Sequence, residues 1–169
     1  DICLLALPLT AGVGSYLLTA YAYAAACTVI LSQAEPAAVL AAVERHRATR
    51  LYLVPELLQA LLDQPGLDRY DLSSLRLIGC AAPCPSVALV RRAVQRLGAH
   101  RFYQTFGSGE TGGFIAYLYP RDHQLEGLSP DARARAEARL VSCGRAAPFA
   151  RGRATAAAID RMSEARIGR

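Results

Sequence analysis

The chain has 169 residues, 53% of them hydrophobic, and a formal net charge of +5, which is enough apolar material for one domain with a real core. All 19 basic residues are Arg; residues 1–130 hold ten against ten acids, so the excess lies wholly in residues 131–169, with nine Arg against four acids. A neutral body with no basic face, followed by an Arg/Ala-rich tail without interleaved aromatics, argues against a nucleic-acid partner.

In chain order, residues 3–9 form a short apolar run broken by Pro8 and by a loop at Gly12 and Gly14. Residues 15–26 are predicted helical with Ser15 as the cap, and residues 27–31 read as a buried β-branched strand. Residues 2–34 carry no charge. Pro8, Gly12, Gly14 and Ser15 interrupt that run and no basic flank marks one end, so a buried strand–helix–strand passage is expected rather than a membrane span. A helix over 35–46 carries Pro36 in its first turn, where the missing N–H costs nothing. Residues 50–54 are a strand and 55–62 a short helix closed by the Gln64-Pro65-Gly66 turn. Residues 75–78 are a strand, 85–97 an amphipathic helix stopped by Gly98, and 101–106 a further strand. Strands separated by helices of this length predict βαβ units and a mostly parallel sheet.

Two of these strands run directly into loops of small residues. Residues 75–78 lead into Cys80, Ala81, Ala82 and Pro83. Residues 101–106 lead into a glycine loop, Gly107-Ser108-Gly109-Glu110-Thr111-Gly112-Gly113, with one carboxylate. Loops that follow parallel strands are where open α/β sheets bind ligands, and glycine lets a backbone approach a ligand closely. Both loops are therefore expected at one edge of the sheet, lining one cleft. After Pro120 the pattern degrades into a polar loop, one short Arg-rich helix within 121–139, and a tail expected to pack poorly.

Other motifs fit less well. Residues 107–112 match G-x-G-x-x-G literally, but the next residues are an aromatic run ended by Pro120 rather than a helix, and no acidic residue follows where a ribose contact belongs. Gly107-Ser108-Gly109 lacks the G-x-S-x-G spacing of a nucleophile elbow. His46 reads as a solvated helix end, His100 as a residue before a strand and His123 as part of a polar loop, none with a Ser or Cys partner for a triad. Cys3, Cys27, Cys80, Cys84 and Cys143 are an odd, scattered set, which fits reduced cytoplasmic thiols better than zinc or disulfides.

Taken together, the loops resemble a known superfamily. Gln104-Thr105-Phe106-Gly107-Ser108-Gly109-Glu110 is similar to the Q-x-[YF]-G-x-[TS]-E signature of adenylate-forming (AMP-binding) enzymes: acyl-CoA synthetases, luciferases and peptide-synthetase adenylation domains. The segment from Leu75 to Pro83 resembles their L-R-x-x-G-[GA]-A-P run, with the lead-in Asp71-Leu72-Ser73-Ser74. Leu7-Pro8-Leu9 resembles P-L-F-H, and Ser142-Cys143-Gly144-Arg145 with Pro148 resembles S-x-G-R-P-x-P. The long passage before this last run is most like fatty-acyl-CoA synthetases.

The resemblance implies an ATP-dependent ligase that adenylates a carboxylate, a fatty acid as first choice, and passes it to coenzyme A. It implies that Cys80, Ala81, Ala82 and Pro83, with Gln104, Thr105, Phe106, Gly107, Ser108 and Gly109, contact the nucleotide, Phe106 by stacking on adenine. Glu110 would be the catalytic residue, holding magnesium on the phosphates, with Ala11, Gly112 and Gly113 at the acyl pocket. The expected fold is α/β, a mostly parallel sheet with helices on both faces, the central slice of the large N-terminal domain of an acyl-CoA synthetase. Residues 1–148 would be a partial AMP-binding domain and 149–169 the tail. The family's phosphate loop, ribose-binding Asp and catalytic lid Lys are not in this Lys-free chain, so the slice alone is expected to be inactive; the cytoplasmic expectation rests on the reduced thiols. Departures stand at Gly109 in place of Thr or Ser, Ala11 in place of His, Thr10 in place of Phe and Cys80 in place of Gly. They keep open a nucleotide-binding or scaffolding pseudoenzyme; the literal G-x-G-x-x-G match keeps open, more distantly, a dinucleotide-binding oxidoreductase domain.

Overall fold

The structure, a computed structural model, describes residues 1–81, 84–109, 111–140, 142, 144–148 and 150. It divides into two compact units, Asp1–Cys80 and Ala81–Arg169.

The first unit is a set of βαβ repeats. β1 (Ile2–Leu5), β2 (Cys27–Ile30), β3 (Arg50–Leu53) and β4 (Leu77–Cys80) lie in the order β2-β1-β3-β4, all parallel. The register sets Leu4 against Val29 and Leu51, and Leu51 against Ile78. β1, β3 and β4 are near-continuous apolar runs because a parallel strand is covered on both faces; Leu4, Leu5, Tyr52, Leu53 and Ile78 are fully or almost fully buried.

Three helices connect these strands. α2 (Pro36–His46) has Pro36 in its first turn, buries Val39, Leu40, Ala42 and Val43, and ends at Arg47 in the left-handed region. α3 (Pro55–Asp63) turns Leu57, Leu58, Leu61 and Leu62 inward, the spacing of a single helical face. Burying each of these leucines contributes roughly 1.5–3 kcal/mol relative to leaving it in water. In the lead-in to β4, the Asp71 carboxylate accepts from Ser73 N–H at 2.9 Å and pairs with Arg47 at 2.7 Å. Hydrogen bonds from the Ser73 side chain and backbone first, and Arg47 second, hold its pKa below the usual carboxylate value.

Three expectations differ from what this unit shows. Ser15 does not cap the first helix, α1 (Gly12–Tyr23), whose N-cap is Ala11 without a side-chain bond. The Ala11 carbonyl accepts from Gly14 and Ser15 N–H, so the turn starts on backbone alone, and the Ser15 hydroxyl folds back onto the Ala11 and Gly12 carbonyls. Nor is β2 buried: its residues are exposed or half-buried, because within the unit it pairs only with β1. The strand predicted at 75–78 is formed at Leu77–Cys80 instead, since the Thr49 carbonyl engages the Arg76 and Leu77 amides before the ladder begins.

The second unit is antiparallel. α4 (Val87–Leu97) is capped by Ser86, whose hydroxyl accepts from Leu89 N–H at 3.2 Å, buries Leu89, Val90 and Ala93, and stops at Gly98 with φ 93°. β5 (Phe102–Ser108) and β6 (Gly113–Leu118) form a hairpin with a bulge between Phe106 and Gly107. β7 (Arg145–Ala146) pairs antiparallel with β6. The aromatic run over 114–118, not assigned to a strand from the sequence, is thus the returning arm of the hairpin. β5 pairs antiparallel with β6 because only the short loop separates them. A 3₁₀ turn, Pro120–His123, and α5 (Pro130–Arg139), capped by Ser129, follow. The mostly parallel α/β arrangement expected from the sequence is therefore present, as a mixed sheet. Of the tail 149–169, only Ala150 lies among the described residues.

Candidate functional site

The glycine loop is the tip of the β5–β6 hairpin. Gly107 sits where a Cβ would collide with the Gly113 carbonyl, so the two strands can close on each other only if residue 107 has no side chain. Gly112 and Gly113 adopt φ of 67° and 139°, conformations that side chains disfavour. Thr111 ties the tip together: its hydroxyl accepts from Ser108 N–H at 2.9 Å and lies 2.9 Å from the Ser108 carbonyl and 2.8 Å from the Gly113 carbonyl. A hydroxyl has one proton, so it serves these two carbonyls alternately or by sharing. Ser108, Gly109, Thr111 and Gly112 are exposed, so the loop offers backbone and glycine surface to solvent.

This geometry differs from a dinucleotide fingerprint. A dinucleotide fingerprint must open a helix whose N-terminus meets the pyrophosphate, whereas residues 107–112 link two antiparallel strands. Phe106 is half-buried and packs against the buried pair Ile115 and Ala116, which holds its ring on the hairpin while leaving part of it open. Gln104 and Thr105 are buried. Glu110, Ala82 and Pro83 lie outside the described residues. Cys80 is the last residue of β4 and fully buried, and Ala81 is nearly so. Ala11, half-buried, belongs to the first unit at the start of α1. Within one unit, then, the structure brings together residues 104–109 and 111–113.

His123 was read as part of a polar loop and is instead fully buried. Its Nδ1 is 2.9 Å from the Tyr119 carbonyl, its Nε2 is 2.9 Å from Gln104 Oε1, and Phe102 meets its ring edge-on at 5.2 Å. Burial pushes its pKa below the ordinary value, against smaller opposite pulls from the Tyr119 carbonyl and the Asp122 carboxylate. Asp122, also buried, accepts from Tyr119 N–H at 3.0 Å and faces Arg145 at 3.6 Å. A signal for this turn was present in the sequence: Pro120 followed by an acidic residue two places on is a helix-start pattern whose carboxylate reaches back to the preceding backbone N–H. A separate open cavity of about 540 Å³ lies between α4, the Ala99–Arg101 turn and α5, with Val90, Val94, His100 and Leu140 in its walls. No residue of the 104–113 segment lines it, and Glu137 pairs with both of the arginines in its wall, Arg91 and Arg133.

With this geometry in place, the family comparison is decisive. The AMP-binding enzyme family matches residues 1–153. The chain belongs to that family. The chain is 37% identical over 123 residues to a medium/long-chain-fatty-acid–CoA ligase, FadD8, of Mycobacterium tuberculosis, covering 73% of this chain and 19% of the relative. It is 34% identical over 131 residues to an indoleacetate–CoA ligase of Aromatoleum aromaticum, covering 77% of this chain and 23% of the relative. Among solved structures, the amide bond synthetase McbA of Marinactinospora thermotolerans superposes with a TM-score of 0.72 at 34% identity, over 88% of this chain and 27% of that one. The chain thus spans about a quarter or less of the length of these AMP-binding relatives.

Among the described residues no group of three or more His, Cys, Asp or Glu could hold a metal ion, and no helix is long and apolar enough to cross a membrane. Cys3, Cys27, Cys80 and Cys84 carry reduced thiols, not disulfides, and burial pushes the Cys3 pKa up.

Proposed function

We propose that the protein carrying this chain is an ATP-dependent acid–thiol ligase. A carboxylate oxygen attacks the α-phosphorus of ATP, pyrophosphate leaves, and the acyl-adenylate forms. A thiol, coenzyme A as first choice, then attacks the acyl carbon and AMP departs, leaving a thioester. The observation that carries this reading is the family match across 153 residues, supported by an exposed glycine tip in the segment that resembles the nucleotide signature. A medium or long fatty acid is the favoured substrate, on the strength of the similarity to the fatty-acid ligase.

On this reading the backbone of residues 80–83 lies along the adenine, Phe106 stacks on it, residues 107–109 approach the phosphates, and Ala11, Gly112 and Gly113 border the acyl group. Glu110 would hold the magnesium ion that accompanies ATP. A single carboxylate, Glu110, fits that role, because magnesium on a nucleotide takes most of its ligands from phosphates and water. Charge stabilisation of the attacked phosphate supplies much of the rate in such transfers.

A second reading of the final step rests on the similarity to the amide bond synthetase: the acyl-adenylate would pass to an amine instead of a thiol. The pseudoenzyme alternative rests on Gly109 and Ala11. Pyrophosphate exchange by the full-length protein, run with fatty and aromatic carboxylates, tests the first step. Glu110→Gln is expected to lower exchange by about a hundredfold or more while leaving thermal unfolding unchanged. Near-normal exchange in Glu110→Gln would return the loop to an ordinary glycine turn. Absence of exchange in the unaltered protein would favour the pseudoenzyme. Chromatography of products with coenzyme A or an amine decides the acceptor.

A further inference from the structure

Gln104 was expected to touch the nucleotide, but its amide is occupied elsewhere. Its side chain is buried, with Oε1 2.9 Å from His123 Nε2 and Nε2 3.7 Å from Cys84 Sγ. His123 Nδ1 in turn lies 2.9 Å from the Tyr119 carbonyl. A carbonyl only accepts, so Nδ1 must carry a proton. A neutral ring then has a bare Nε2, which cannot bond to a second acceptor such as Gln104 Oε1. Two arrangements resolve the conflict. The ring could be doubly protonated, or the Gln104 amide could be turned over so that its N–H faces the ring and its oxygen faces the Cys84 thiol. The two ends of an amide are nearly isosteric, so the turn needs no movement of other atoms. Full burial beside the Phe102 ring makes a charge costly and the neutral chain of donors the better solution.

We propose that Gln104 and His123 are positioning residues for the 106–113 loop, linked in one hydrogen-bonded chain: Cys84 S–H to Gln104 Oε1, Gln104 N–H to His123 Nε2, and His123 Nδ1–H to the Tyr119 carbonyl. The chain anchors β5 two residues ahead of Phe106. It fixes the hairpin to the Pro120–His123 turn on one side and to the residue following Pro83 on the other. Its bearing on nucleotide binding rests on the ligase reading above; the hydrogen-bond order does not.

The imidazole nitrogen signals of His123 in the full-length protein test the order directly. At pH 7 a neutral ring with Nδ1 protonated and Nε2 bare is expected; an imidazolium or an Nε2–H ring overturns the proposal. Gln104→Glu puts a carboxyl group against Nε2, which either gives its proton to the ring or donates it in a stronger hydrogen bond, so the His123 Nε2 signal should move in either case; an Nε2 signal unchanged from the unaltered protein would also overturn the proposal. In pyrophosphate exchange, His123→Gln keeps one acceptor and one donor and should hold the KM for ATP within about threefold. His123→Leu should raise it about tenfold or more with the carboxylate KM unmoved. Equal effects of the two substitutions would reject a positioning role. If His123→Leu does not fold, the unaltered protein and Gln104→Glu still decide the chain of donors. If the unaltered protein catalyses no exchange, the ligase reading falls and takes the positioning role with it, while the nitrogen signals still decide the hydrogen-bond order.

Discussion

At the scale of single residues, the hairpin tip separates glycines that are required from one that is not. Gly107 faces the Gly113 carbonyl with no room for a Cβ. Gly107→Ala should therefore force the strands apart and destabilise the fold by about 1–3 kcal/mol, as overpacking does; urea unfolding would measure it. Gly109 has open space around it and lies outside the left-handed region. Gly109→Thr should be neutral in the same measurement and, on the ligase reading, should raise pyrophosphate exchange by restoring a hydroxyl. Thr111 acts through its hydroxyl alone. Thr111→Val keeps the shape but leaves Ser108 N–H and two carbonyls without it, at a cost of about 1 kcal/mol; faster amide exchange at Ser108 would report the loss.

At the scale of elements, two serines at helix starts behave oppositely. Ser86 closes the first turn of α4 by accepting from Leu89 N–H, so Ser86→Ala should cost about 1 kcal/mol. Ser15 lies inside α1 and returns its hydroxyl to carbonyls already used by the helix. Ser15→Ala should change stability by no more than about 0.5 kcal/mol. Parallel thermal melts of the two variants compare a true cap with an apparent one. In α3, Leu58 is fully buried, and Leu58→Ala should cost about 2–5 kcal/mol through the lost transfer energy and the cavity left behind.

At the scale of the whole molecule, acid is the informative stress. The folded-state pKa of His123 is lowered from 6.5, so below that value the unfolded chain takes up a proton that the folded chain refuses. Stability should fall as pH drops from 6.5 towards the lowered native value and be level above 6.5 with respect to this group. The charged and titratable groups around it are Asp122 on the same turn, Arg145 beside Asp122, and Arg91, His100, Glu126 and Arg133, which line the same cavity. Urea midpoints between pH 7 and 5 should slope less in His123→Gln than in the unaltered protein. Nucleotide affinity is a second property of the whole. The loop over 104–113 holds no Arg and the chain no Lys, so that loop brings no cationic side chain of its own to the phosphates. Calorimetry with ATP and magnesium should find binding weaker than micromolar, a standard free energy less favourable than about −8 kcal/mol.

The order of strands and helices, the family and the position of the glycine loop were legible in the sequence, because each rests on local chemistry. Apolar runs of strand length, Pro36 and Pro55 in first turns, Gly98 at a helix end and the residues from Gln104 to Glu110 act within a few positions of the chain. What the sequence could not give depends on partners distant along it. The exposure of β2 follows from its having β1 as its one partner within the unit, which apolar content cannot reveal. The antiparallel return of residues 113–118 depends on Gly107 meeting Gly113 across the hairpin. The role of His123 was hidden most completely. A histidine in a polar stretch reads as solvated until tertiary structure brings Gln104, 19 residues away, and the Phe102 ring against it. Burial then decides both its charge and the direction of every hydrogen bond around it.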